Sequence, residues 1–348
     1  MLLPRFPATR FQGSKRKILP ELAELLHAEP CNSIIDLYSG SGIVSLLFRF
    51  MGKRVLANDY LRYNQNTARL FLSHTAEDFK GLTAEADLAY LLNHRESTFK
   101  STVAEAFAGI YFKDAENLEI DNFCQNIQGF SGFKKALYTY AVGQALIKKR
   151  PYNLFHRANL DMRLKDVKRS FGNAKTWETA TQVHALKCIQ ELARFPSPEG
   201  QAHQALRVDT ANLAPLPVDY DVVYLDPPYM NDKSVPVNYS NFYHFLEGLC
   251  DYSLFQHGDA RYPHRPIVNL GSPWHKKASA LDNIGAICRH FSQSRLVMSY
   301  RSDGTPTPAE IQAAMQACGR QVEIRTVRGY QYALSKNTGN EEIFIVAR

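Results

Sequence analysis

Several features are missing from this sequence. No stretch approaches the roughly 18 to 20 unbroken apolar residues needed to cross a bilayer, so no membrane partner is expected. The opening Met1-Leu2-Leu3-Pro4-Arg5 has none of the apolar run that marks a secretory signal. The six cysteines, at 31, 124, 188, 250, 288 and 318, never pair as C-x-x-C and have no histidine at zinc-ligand spacing. Scattered cysteines of this kind read as reduced, buried side chains. The 11 histidines form no metal constellation and read as structural, so no metal is expected. Internal repeats and low-complexity tracts are absent too. A cytoplasmic protein is the expectation.

What is present is 348 residues, 45% apolar and 22% charged. That suits about two domains, or one large α/β unit carrying an insertion. Forty-one basic residues against 34 acidic ones give +7, a mild bias towards a polyanionic partner.

Residues 33–38 form a short apolar run ending at Gly40-Ser41-Gly42; a helical stretch over 43–51 stops at Gly52, and 54–59 form a second strand with an acidic end. Strand, glycine turn, helix and strand make a βαβ unit, which implies a parallel sheet. Strand character resumes at 205–209, 221–226, 266–270 and 295–300, with helices over 278–291 and 308–318 between and after the later runs. Residues 322–334 and 342–347 suit a terminal antiparallel pair. Between about 67 and 200 helical patterning takes over, most clearly at 133–149 and 176–195. The expected division is a catalytic α/β domain over 1–66 and 201–348, interrupted by a mostly helical domain over 67–200.

Glycines where a strand hands over to a helix let backbone N–H groups approach a ligand. Asp59 ends the next strand, where a carboxylate can hold a ribose diol. A dinucleotide would want a third glycine where Ser45 stands, and no carboxylate at Asp36 facing its pyrophosphate. Asp36 suits a ligand with a positive end, such as the amino acid moiety of S-adenosyl-L-methionine. The plain alternative is an ordinary tight βα turn.

Asp226-Pro227-Pro228-Tyr229 closes another apolar run. The prolines stop the strand and stiffen the turn, holding a carboxylate and an aromatic ring at the carboxyl edge of the sheet. An exocyclic amine on a purine is a poor nucleophile because its lone pair is delocalised. Hydrogen bonds accepted by the Asp226 carboxylate and the Pro227 carbonyl would pull that nitrogen towards sp³ geometry, with Tyr229 stacked on the base. The bland reading is a strand-ending turn with a surface tyrosine.

These motifs, in this order, resemble the Dam-like (D12-class) DNA adenine-N6 methyltransferases. Arg10-Phe11-Gln12-Gly13-Ser14-Lys15 is similar to the family's amino-terminal motif, Asp36-Leu37-Tyr38-Ser39-Gly40-Ser41-Gly42 to its cofactor loop, and Asn58-Asp59-Tyr60 to its ribose-binding strand end. Asp226-Pro227-Pro228-Tyr229 resembles the catalytic motif and Ser299-Tyr300 a later strand. Ser14 stands where the family often has a second glycine, and Arg10 where a lysine is frequent. The resemblance implies a class I S-adenosylmethionine-dependent fold, a mostly parallel seven-stranded sheet with a terminal antiparallel hairpin plus a target-recognition insertion. It implies that Phe11 and Lys15 line the methionine end of the cofactor, that Asp59 binds ribose, and that Asp209 neighbours the adenine. Tyr38, Gly40, Gly42, Tyr60 and Asp226 complete the expected cofactor set, and Asp226, Pro227 and Tyr229 the catalytic one.

Residues 131–170 carry ten basic side chains against Asp161 and Asp166, the footprint of phosphate binding. Lys148, Lys149 and Arg150 are the expected phosphate contacts. Tyr152, Asn153, Arg157 and Asn159 are residue types that read base edges, with Arg157 and Asn159 foremost. The expected function is transfer of a methyl group to N6 of an adenine flipped from double-stranded DNA. The alternatives are an RNA adenine or guanine amino-methyltransferase and a catalytically silent DNA-binding module of a restriction or defence system. A cytosine-C5 enzyme would need a Pro-Cys nucleophile after a strand, and Pro30-Cys31 precedes one. A cognate restriction endonuclease is a further candidate partner, and the expected state is a monomer or weak dimer.

Overall fold

The computed structural model describes residues 2–165, 173–196, 198, 200–230, 236–327 and 341–348. Seven strands form one sheet: β1 (Ser33–Asp36), β2 (Arg54–Asn58), β3 (Gln204–Leu206), β4 (Val222–Leu225), β5 (Arg295–Arg301), β6 (Val322–Thr326) and β7 (Glu342–Ala347). Their order is β3-β2-β1-β4-β5-β7-β6. β1 to β5 run parallel, while β7 is antiparallel to both β5 and β6. The sheet is thus mostly parallel, with an antiparallel pair at one end, as the sequence led one to expect.

Helices cover both faces, so every position of β1 and β4 is buried, even Ser33 and Asp36 at the two ends of β1. Successive side chains point to opposite faces, so Ile34 and Val222 enter one core and Ile35 and Val223 the other. The first core is completed by α1 (Leu19–Ala28), α2 (Ile43–Phe50) and α3 (Arg62–Ser73). The helices α4 (Ala84–Asn93), α5 (Thr102–Ala106), α6 (Asp114–Asn126), α7 (Gly132–Lys148), α9 (Thr181–Ala193) and α10 (Tyr239–Cys250) extend the same side of the fold, and α8 (Asn173–Glu178) leads into α9. The second core is closed by α11 (Lys277–His290) and α12 (Pro308–Gln316).

Among the described residues, 67–203 contain no strand. The helical segment nevertheless has no core of its own. Phe107, Phe112 and Phe155 pack around Phe245 of α10, and Tyr63 of α3 donates a hydrogen bond to the Tyr140 carbonyl in α7. The expected boundary at 66/67 falls inside α3, so the change from sheet to helices comes after Ser73.

Three element expectations need correction. Residues 266–270 are not a strand: Pro266 has no N–H, and the Ile267 and Leu270 amides donate to the His244 ring and to Ser240 Oγ in α10. Residues 176–195 form two helices, α8 and α9, with a break at Thr179 and Ala180. β3 ends at Leu206 because the Asn58 side chain takes over, accepting from the Val208 amide and donating to its carbonyl. Of the expected strand over 322–334, β6 occupies the first five positions, and 328–334 lie outside the described residues. Among the described residues no helix is long and apolar enough to cross a membrane.

Candidate active site

From β1 the sheet order runs to β2 and β3 on one side and to β4 and β5 on the other. A parallel sheet opens a crevice at such a reversal, outside the carboxyl ends of its strands. Here that crevice is a cleft walled by the amino-terminal turn and by the carboxyl ends of β1, β2 and β4. Phe11, Lys15, Asp36, Tyr38, Gly40, Asp59, Tyr60, Asp209 and Asp226 all line it, so the structure brings together the whole expected cofactor set except Gly42. Gly42 has φ +72° at the start of α2, and a Cβ there would meet Phe71 of α3 at 3.1 Å. Its task is to fit the turn against α3, away from the cleft wall. Gly40, at φ +48°, is on the wall, and a Cβ there would press on the Phe11 ring at 3.3 Å.

The carboxylates differ in how they are held. Asp36 accepts from Ser45 Oγ at 2.6 Å through one oxygen; the other, Oδ1, is buried with no hydrogen-bond partner among the described residues. Burial, helped by the charges of Asp226 and Asp59, pushes the Asp36 carboxyl up to about 7. Asp59 braces the glycine turn, accepting from the Gly40 and Leu61 amides at 2.9 Å each, and burial lifts it to about 6. Asp209 lies past the end of β3, exposed at the rim, and accepts from the Ala211 amide. Tyr38 is anchored below by the Trp274 indole N–H at 2.9 Å, and the Tyr60 hydroxyl accepts from the Ser240 amide.

At the carboxyl end of β4 the catalytic candidate Asp226 faces Lys15, which comes from the turn Lys15–Ile18. Lys15 Nζ lies 3.0 Å from Asp226 Oδ1 and 2.9 Å from Glu342 Oε1 of β7. Burial alone would lower the Lys15 ammonium; the two carboxylates outweigh it and hold it well above the usual range. For Asp226, burial raises, Lys15 lowers and Glu342 raises, leaving it at about 6. Pro227 is buried, and Pro228 lines the cleft. Tyr229 stands outside the cleft towards β5, edge-on to Tyr300 at 6.0 Å, with the Arg301 guanidinium 5.3 Å from its ring centre.

The family model for D12 class N6 adenine-specific DNA methyltransferases matches residues 11–265, well over half of the chain. The chain belongs to this family. No curated protein matches it in sequence. A D12-class enzyme is an adenine-specific DNA methyltransferase, so DNA is the substrate class and adenine methylation the reaction. The matched span opens on Phe11 and contains both the glycine turn and Asp226-Pro227-Pro228-Tyr229, and Glu342 lies beyond it.

Sequence reasoning about the D12 enzyme passed over two site residues. Glu342 is one; the other is Tyr239, at the start of α10. By sequence the run Asn238 to His244 suits either a segment closing over the flipped base or a packed loop; in the structure it forms the first turns of α10, capped by Asn238. Tyr239 and Tyr243 stack on Phe11 with ring centres 5.6 and 4.3 Å away, and Tyr239 lines the cleft. Gly13, at φ +78°, passes so close to Tyr239 that a Cβ would lie 2.7 Å from its hydroxyl.

The basic segment of this methyltransferase divides in two. Lys149 and Arg150, expected to hold phosphates, are each only 2% exposed. Lys149 pairs with Glu116 of α6 at 2.7 Å, a carboxylate it shares with Arg163 at 2.8 Å. Arg150 lies over the Tyr111 ring and donates to the carbonyls of Leu154, Tyr111 and Asn159. Both cations are committed to the interior, so neither presents its charge to a duplex. Arg157 and Tyr152 are exposed, the latter by 60%, and Asn153 and Asn159 are half-buried. Tyr152, Asn153 and Asn159 all have φ between +57° and +59°, which bends the chain sharply at both ends of this loop. Lys148 is half-buried, and burial, with the nearby charges of Lys187 and Arg10, lowers its ammonium. Lys134 and Lys135 engage Asp87 and Gln128, and Asp166, Lys168 and Arg169 lie outside the described residues.

Proposed function

We propose that the protein transfers a methyl group from S-adenosyl-L-methionine to N6 of an adenine flipped out of double-stranded DNA at a particular sequence. The observation that carries this reading is that Asp226 belongs at once to the cleft that gathers Asp36, Asp59 and Phe11 and to the strand end bearing Tyr229. The donor set fits the cofactor. Asp36 offers a buried carboxylate oxygen that lacks a partner among the described residues, as an amino acid ammonium requires, and Asp59 lies at the end of the neighbouring strand, where ribose is held. Phe11 would line the methionine end, and Asp209 the adenine end. When bound, the cofactor supplies an electrophilic sulfonium methyl group.

The chain's own residues supply position and polarisation. Asp226, ionised above about pH 6, accepts one amine hydrogen and the Pro227 carbonyl accepts the other. That concentrates the lone pair on nitrogen without a covalent enzyme intermediate. Tyr229 stacks on the extruded base. The helical segment from Ser73 to about residue 200 serves as the target-recognition part. Arg157, Asn153, Asn159 and Tyr152 are offered to base edges and Lys148, beside Arg10 and Lys187, to phosphates.

The test is tritiated-methyl transfer to unmethylated genomic DNA and, in parallel, to total RNA. N6-methyladenine in digested DNA is the expected product. Asp226→Ala should lose about 10²-fold or more of the single-turnover rate while keeping cofactor affinity. Label in RNA alone would reassign the substrate, and an Asp226→Ala protein as fast as wild type would sink the mechanism.

A further inference from the structure

Glu342 is fully buried at the first position of β7, opposite Arg301 of β5, and lies outside the span matched by the family model. Glutamate is depleted in strands, and a buried carboxylate is costly unless charge or hydrogen bonds compensate it. Here both do, since Ser299 Oγ donates to Glu342 Oε1 and Lys15 Nζ lies 2.9 Å from the same oxygen. Lys15 therefore serves two carboxylates, Asp226 and Glu342, through one ammonium.

The consequence is chemical. An ammonium paired with Asp226 alone would withdraw density from the carboxylate that must accept an amine hydrogen. A second carboxylate divides that pull. We infer that Glu342 is a positioning residue for methyl transfer: by drawing Lys15 partly away from Asp226, it keeps the catalytic carboxylate a strong hydrogen-bond acceptor. This rests on the methyl-transfer reading above. Among the described residues, the groups acting on Asp226 are Lys15 from the amino-terminal turn, Glu342 from β7, Asp36 from β1, Tyr224 from β4 and Tyr239 from α10, while Tyr229 acts on Lys15. Among these described groups Lys15 is the cation, so loss of the Glu342 charge shifts its pull towards Asp226.

The experiment is the pH dependence of the single-turnover methylation rate of unmethylated DNA. Glu342→Gln should move the acid limb down by about one pH unit and lower the plateau about tenfold, leaving cofactor and DNA affinities within about twofold. Glu342→Asp, which restores the charge, should return most of the shift. Ser299→Ala, for use if Glu342→Gln does not fold, should move the limb upward, because Glu342 then leans harder on Lys15. An unmoved limb in these variants, or Glu342→Asp behaving like Glu342→Gln, overturns the inference. Wild type that methylates no DNA overturns instead the reading on which it rests.

Discussion

Asp36, Asp59 and Asp226 surround one cleft, and burial holds them at about 7, 6 and 6. All three lie above the unfolded value of roughly 4, so the folded chain binds more protons between those limits. Their contribution to stability is complete below about pH 4 and is lost as pH rises through about 6 to 7. The melting temperature of the ligand-free protein should therefore fall as pH rises across that window, and fall less in Asp36→Asn, as differential scanning calorimetry would show. A cationic ligand group reverses the preference at Asp36, because it favours the ionised form. Cofactor binding near pH 6.5 should release up to one proton, read by isothermal titration in buffers of differing ionisation enthalpy. Binding without proton release, or an Asp36→Asn protein that releases as many, would remove Asp36 from the ammonium site.

Adjacent residues on one element can have opposite duties, as α7 and the loop after it demonstrate. Arg150 satisfies three carbonyls in the interior, whereas Arg157 points outward. Arg150→Ala should destabilise the fold by about 3 kcal/mol, because those acceptors lose their donor. Arg157→Ala should leave stability within about 0.5 kcal/mol and weaken DNA binding by about 1 to 3 kcal/mol. Chemical denaturation and filter binding distinguish the two, and an Arg150→Ala protein of full stability would contradict the packing. From sequence these arginines look alike, since nothing local announces that the Leu154, Tyr111 and Asn159 carbonyls hold Arg150 inside, or that Glu116, far back in α6, pairs with Lys149 and Arg163. The βαβ unit was legible because an apolar run, paired glycines and a second apolar run are local signals. So was Asp226-Pro227-Pro228-Tyr229, whose prolines stop a strand in any context. Residues 266–270 misled because a short apolar run does not reveal that α10 claims two of its amides. Glu342 escaped for the same reason as Glu116, its partner Lys15 being at the other end of the sequence.

Across the whole molecule, the cleft draws on residues 11–15, 36–64, 208–228, 239 and 271–272, with the helical segment between its halves. The family's motif order was readable in one dimension, but the continuity of the helical segment with the sheet's own core was not. One pairing has kinetic meaning. β1 lies beside β4, and the Ser33 amide donates to Asp221 across a separation of 188 residues. Closing so long a loop from a disordered chain costs about 4 to 5 kcal/mol in entropy. The helical segment shortens it, because its two ends meet where Gln65 of α3 donates to the Ala205 carbonyl of β3. Once those helices have formed, the remaining loop is about a quarter as long and about 1 kcal/mol cheaper to close, several-fold in rate. In pulsed hydrogen exchange, amides of α7 and α9 should gain protection before those of β1 and β4; the reverse order would refute this. The segment read as the part that chooses DNA would then also be the clamp on which the catalytic sheet assembles.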